Sequence, residues 1–223
     1  MSDPAVIGGT STSSPMDADP IPVLFVPGRD RAGGEPSSFA ATGTFVALDF
    51  ETADRRRDSA CALAIVRVEG VHVVASNCRL IRPPRRNFEF TSLHGISWRE
   101  VRSQPSFGPI WRSMGELLEG AEFIAAHNAS FDRGVLDACC AQAKIARTEL
   151  RFECTVALAR RRWNLFPTRL PDVCRFLGVP LKHHDALSDA MACARIVIAA
   201  RAINLRPTEK PAFALSSPTS SFL

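Results

Sequence analysis

Two carboxylates, Asp49 and Glu51, close the apolar run Phe45-Val46-Ala47-Leu48-Asp49-Phe50-Glu51. Residues two apart in a strand share a face, about 6.5 Å from one another. Both acids therefore point the same way from the end of a buried strand. At about 4 Å and an effective dielectric of about 20, two like charges repel by about 4 kcal/mol. Either one acid keeps a proton, or a hard divalent cation with oxygen ligands lies between them. Two further acids occupy comparable places. Asp132 ends the stretch His127-Asn128-Ala129-Ser130-Phe131-Asp132, in the first turn of an expected helix that follows a short apolar strand. Asp189 lies one turn into the last expected helix, with His184 five residues before it at the helix entrance. Each acid alone has a plain structural explanation, as a turn former or a first-turn helix acid. Gathered together, four carboxylates are too electronegative to stand without counterions at pH 7. They suit two Mg²⁺ or Mn²⁺ ions about 3.5–4 Å apart, an arrangement that cleaves phosphodiesters in line. An imidazole titrates near neutrality and can serve such a site as a general base.

The elements that would position these groups read as follows. Residues 44–49 form a first strand, and 60–68 and 71–81 two β-rich runs joined at Glu69-Gly70 as a hairpin. Thr91 to Ile96 reads as a loop and Trp98 to Val101 as a short helix. Phe107, Ile110, Trp111, Met114, Leu117 and Leu118 recur at helical spacing, with Gly120 as the stop. A fourth strand over 123–126 leads to a helix with Ser130 as N-cap and Phe131, Val135, Leu136 and Cys139 on its core face. A fifth short strand at 152–155 precedes helices to 162, over 170–177 and over 185–203. The last has the stripe Leu187, Ala190, Met191, Ala194, Val197 and Ile198. Three strands in succession, then strands alternating with helices, make an α/β protein.

D-F-E-T at Asp49, H-N-A-S-F-D ending at Asp132 and H-D-A-L-S-D-A from His184 resemble, in order, the three motifs of the DEDDh 3′→5′ exonucleases. That family includes the proofreading subunit of bacterial DNA polymerase III, whose L-H-G-I-like loop resembles Leu93 to Ile96. The resemblance covers about residues 44 to 203 and implies a ribonuclease-H-like fold, a mixed five-stranded sheet flanked by helices. It implies that Asp49, Glu51 and Asp189 hold Mg²⁺ or Mn²⁺ directly and that Asp132 acts on the second ion directly or through water. It makes His184 the base, the five-residue step to Asp189 selecting it over adjacent His183. It also places Phe50, Thr52, Leu93, His94 and Asn128 along the substrate. Phe50 can equally be core, Leu93 and His94 a plain turn, and His127 and Asn128 supports for the backbone near Asp132.

The 223 residues, 46% hydrophobic, suit one domain over 41–204 between a disordered leader, 1–40, and a disordered tail, 205–223. Over 41–204 there are 23 Lys and Arg against 17 Asp and Glu. With the site acids neutralised by metal, that excess favours a nucleic-acid partner: the 3′ end of single-stranded DNA, or of RNA. Arg55 to Arg57, Arg85-Arg86 and Arg160 to Arg162 are candidate phosphate contacts. The apolar patches at 21–26 and Phe213-Ala214-Leu215 could dock a DNA polymerase or sliding clamp. No apolar run approaches the roughly 20 residues that span a bilayer. Seven cysteines without a C-x-x-C read as reduced, mostly buried thiols and hence a cytoplasmic protein.

Overall fold

A computed structural model describes residues 43–202. The expected leader with its 21–26 patch, and the expected tail with Phe213-Ala214-Leu215, lie outside the described residues. Five strands form one mixed sheet in the order β3-β2-β1-β4-β5: β1 (Thr44–Thr52), β2 (Ala60–Glu69), β3 (His72–Leu80), β4 (Phe123–Ala126) and β5 (Arg151–Cys154). The first three strands pair antiparallel, β1 and β2 through the loop 53–59 and β2 and β3 through a two-residue turn, 70–71. β4 and β5 run parallel to β1, which requires helical crossovers.

β1 is buried on both faces, and its alternation decides where the acids go. Phe45 and Ala47 face α7 (Ala186–Ala202), α5 (Thr155–Trp163) and α6 (Leu170–Leu177). Val46, Leu48 and Phe50 face α3 (Phe107–Ser113) and α4 (Ala129–Ala143). Asp49 and Glu51 continue the first set, so they emerge on the α7 side.

α7 lies across β1, β2 and β3 and against α5 and α6. The expected six-residue stripe is too narrow. Ala190, Ala194 and Val197 are buried, but so are Ala192, Cys193 and Ile196, while Leu187, Met191 and Ile198 are only half-buried. The helix is covered on several sides, and its small residues permit that close approach. Its last turn is pinned by Arg201, which is wholly buried. There Arg201 Nη1 donates to the carbonyls of Gly43 and Gly70 at 2.7 and 2.8 Å, and the guanidinium lies 4.6 Å from the Phe45 ring.

Three local expectations change. The helix expected over 107–118 breaks into α3 and a 3₁₀ turn, Gly115–Leu118. Arg67 Nη1 takes the carbonyls of Leu117 and Glu119 (3.0 and 2.6 Å) that a continuing helix would use. The loop expected at Leu93 is a single helical turn, α1 (Thr91–His94). It is closed by Gly95 at φ +77°, whose N–H reaches the Thr91 carbonyl. α2 (Trp98–Val101) follows as expected. Ser130 is not the N-cap of α4. Asn128, at φ +66°, turns the chain straight from β4 into a helix that begins at Ala129. Of the cysteines, all free, Cys78 is exposed and Cys154 half-buried, and the other five are buried. Burial pushes the Cys61 and Cys139 thiols up to about 12.

Candidate active site

β1 and α7 bring Asp49, Glu51 and Asp189 together: one carboxylate oxygen from each lies within 4.8 Å of the others. Asp189 is 4% exposed. Its Oδ2 accepts the His184 backbone N–H at 3.2 Å and lies 3.0 Å from His183 Nδ1. Its Oδ1 is buried with no hydrogen-bond partner among the described residues. Asp132, also buried, projects from the first turn of α4. Its Oδ1 accepts the Phe50 N–H at 3.3 Å, so the strand that carries Asp49 also positions Asp132.

The electrostatics follow from this crowding. Burial first, then Asp132, Asp189 and Glu51, raise the Asp49 pKa well above the usual carboxylate range. Burial and then Asp189 and Asp185 push Glu51 up to about 7. Asp132 rises to about 7, chiefly through burial and against the Phe50 hydrogen bond. Burial raises Asp189 while the His183 charge opposes it. An all-oxygen donor set, with one buried oxygen left over, fits a hard divalent cation.

The histidines divide their tasks. The rings of His183 and His184 stack at 3.9 Å. His183 is engaged with Asp189, whereas the His184 ring forms no hydrogen bond among the described residues. His184 adopts φ +66°, which aims its N–H at Asp189. His94 accepts from Ile96 N at Nδ1 (3.0 Å), so its Nε2 carries the proton and donates to the Thr52 carbonyl at 3.2 Å. Burial lowers its pKa, against the Thr52 hydrogen bond. His127 bridges Thr155 Oγ1 and the Thr168 carbonyl, tying α5 to the 164–169 segment.

Two clefts open onto the carboxylates. The smaller, about 340 Å³, is lined by Asp49, Phe50, Glu51, Thr52, Leu93, His94, Phe131, His183, His184 and Asp189, with Arg55 to Arg57 at its wall. Phe50 contributes little more than backbone there: its ring is 4% exposed and packs against Phe107 at 6.4 Å. Leu93, by contrast, is 55% exposed. The second cleft, about 750 Å³, shares Asp49, His183 and Asp189 and adds Asn128, Arg160, Phe166 and Arg169. A larger hollow of about 1020 Å³ lies behind the β1–β2 loop and holds none of the four acids.

Phe131 corrects the sequence reading. Expected in the core, it is 39% exposed and lines the smaller cleft. The spacing to Val135 put it on the core face, but the buried face of α4 is Ala129, Asp132, Val135, Leu136, Cys139 and Cys140, and Phe131 lies just outside its edge. Some arginines expected to meet phosphates are engaged within the fold. Arg57 Nη1 donates to the Ser130 and Phe131 carbonyls, and Gly134 makes room for it, since a Cβ there would lie 1.6 Å from Nη1. Arg85 grips Asp58 (2.5 and 2.8 Å) and Asp54.

Residues 46–197 match the exonuclease (RNase_T) family model. The chain belongs to this exonuclease family. It is 28% identical over 176 residues to a PolC-type DNA polymerase III of Bacillus cereus, which covers 75% of this chain and 12% of that protein. Exonuclease X, solved in complex with 5′ overhanging duplex DNA, superposes with TM-score 0.58 at 25% identity over 71% of this chain and 92% of its own. The nuclease domain of 3′hExo, a DEDDh family member bound to rAMP, does so with TM-score 0.62 at 15% identity over 70% and 90%. The fold is therefore the ribonuclease-H-like exonuclease fold, and the DEDDh resemblance of the motifs holds. The chain spans 12% and 25% of the length of the curated relatives it matches. Exonucleases of this family generally use divalent metal ions. Among the described residues no helix is long and apolar enough to cross a membrane.

Proposed function

We propose that this exonuclease domain removes nucleoside 5′-monophosphates from the 3′ end of single-stranded DNA, in proofreading or repair, with Mg²⁺ or Mn²⁺. The observation that carries the reading is the convergence of Asp49, Glu51 and Asp189 within 4.8 Å at the floor of an open cleft, with Asp189 Oδ1 unpartnered. These three residues, with Asp132 beside Asp49, would hold two ions. Bound there, the ions supply the positive charge that makes water a nucleophile near neutral pH and stabilises the leaving 3′-oxygen. His184 takes the water's proton, since its ring makes no hydrogen bond among the described residues whereas the His183 ring is engaged with Asp189. Phe50 acts through its N–H, holding Asp132. Leu93 and Phe131 offer exposed apolar surface to the terminal base, while Thr52 and His94, bonded to each other, set the wall behind it. The polymerase relative and the DNA-bound Exonuclease X support DNA over RNA, and the polymerase supports a setting beside a polymerase or clamp.

The test is a time course on 5′-labelled DNA and RNA of one sequence with Mg²⁺, Mn²⁺ or EDTA, beside Asp49→Ala. A metal-dependent ladder shortening from the 3′ end of DNA, absent in the variant, is expected. A ladder mainly on RNA would overturn the substrate choice. Strand binding without mononucleotide release would make the domain a binding module.

A further inference from the structure

The carboxylates stand on a ridge between two clefts of unequal size. Asp49, His183 and Asp189 line both. An enzyme that cuts one nucleotide from a strand needs such asymmetry: a short pocket for the leaving nucleotide and an open path for the remainder. The smaller cleft carries the exposed apolar residues Leu93 and Phe131. The larger carries Phe166, which at 83% is the most exposed large apolar side chain among the described residues. Burial cannot explain a phenylalanine held in water, in the turn between α5 and α6. Two cations, Arg160 and Arg169, line the same cleft. Among the described residues the Arg160 side chain has only the Thr168 hydroxyl as partner, at 3.1 Å, and neither Arg160 nor Arg169 forms an ion pair. Among the described residues, no acid apart from Asp49 and Asp189 lines this cleft, and Arg160 and Arg169 make their part of it positive. His127 and Thr155 fix the segment from below, through the Thr168 carbonyl.

We infer that the larger cleft is the path of the strand upstream of the scissile phosphate: Phe166 stacks an unpaired base, and Arg160 and Arg169 take the phosphates on either side. This rests on the exonuclease reading above and adds to it the direction in which the strand leaves the site. A stacking platform between cations accepts any base but requires it unpaired, which selects single-stranded ends.

The test separates the two sides of the scissile bond. The 4-nitrophenyl ester of thymidine 5′-monophosphate presents a leaving nucleotide with no upstream strand, whereas 5′-labelled dT15 presents both. In Phe166→Ser, the ratio of kcat/KM on dT15 to that on the ester should fall about tenfold, and Phe166→Trp should restore it. In Arg160→Ser/Arg169→Ser, the slope of log affinity for dT15 against log salt, read by anisotropy in EDTA, should shrink by about 1.4. An unchanged ratio and slope would overturn the inference. So would parallel loss on both substrates, since the residues would then act on the catalytic centre itself. A parent protein that binds dT15 but cleaves neither substrate defeats the exonuclease reading alone, and the anisotropy arm still decides the strand path. A parent that does not bind dT15 defeats both.

Discussion

Asp49→Asn removes one charge from the carboxylate cluster and little else, because the amide has the shape of the acid. With oxygens of Asp49, Glu51 and Asp189 within 4.8 Å, each fully ionised pair repels by about 3–4 kcal/mol at an effective dielectric of about 20. Proton uptake by the cluster and water in the cleft relieve roughly half of this, leaving about 2 kcal/mol. The metal-free variant should therefore melt about 4–8 °C above the parent at pH 8, at about 2–4 °C per kcal/mol for a domain of this size. The sign with pH is fixed. A carboxyl whose folded pKa is raised binds its proton more tightly in the folded state, so the parent loses stability as pH climbs from the unfolded value near 4 through the raised folded values. The variant's advantage should grow over that window and be small at pH 4. Scanning calorimetry in EDTA at pH 4, 6 and 8 measures it. Added Mg²⁺ should reverse the order, raising the parent and leaving the variant behind. A variant that melts at or below the parent in EDTA at pH 8, or that retains turnover, would refute the argument that these oxygens crowd a cation site.

Three other outcomes follow from the same geometry. His184→Ala should lose several orders of magnitude in kcat with partial recovery at high pH, and His183→Ala should lose less; a larger loss at His183 in parallel rate profiles would exchange their roles. Apparent Mg²⁺ affinity by titration calorimetry should rise with pH through about 7 and level only above it, because Glu51 and Asp132, both near 7, must release protons to bind; a flat profile from pH 5 to 8 would contradict it. Arg201→Ala should cost about 2–4 kcal/mol in urea unfolding, since it strips the Gly43 and Gly70 carbonyls of their buried donor, and a loss under 1 kcal/mol would show that water replaces it.

The amino-acid sequence by itself determined the sheet and which acids are candidates for the site. An apolar run ending in D-F-E, two strands meeting at Glu69-Gly70, and acids placed where elements begin or end are local patterns, and local patterns survive without knowledge of the neighbours. Strand parity alone put Asp49 and Glu51 on one face. Only the tertiary structure decided what those residues meet. Which face α7 covers settles that Asp189 joins them, and the left-handed turns at Asn128 and His184 set how Asp132 and the two histidines approach. Phe131 and Phe166 show the limit most directly. Helical spacing groups Phe131 with Val135, although the face that α4 buries runs through Ala129 and Asp132 and leaves Phe131 at its edge, and no periodicity marks Phe166 as exposed. Exposure belongs to the assembled surface, where distant segments either cover a ring or leave it in water, and spacing along the chain does not encode it.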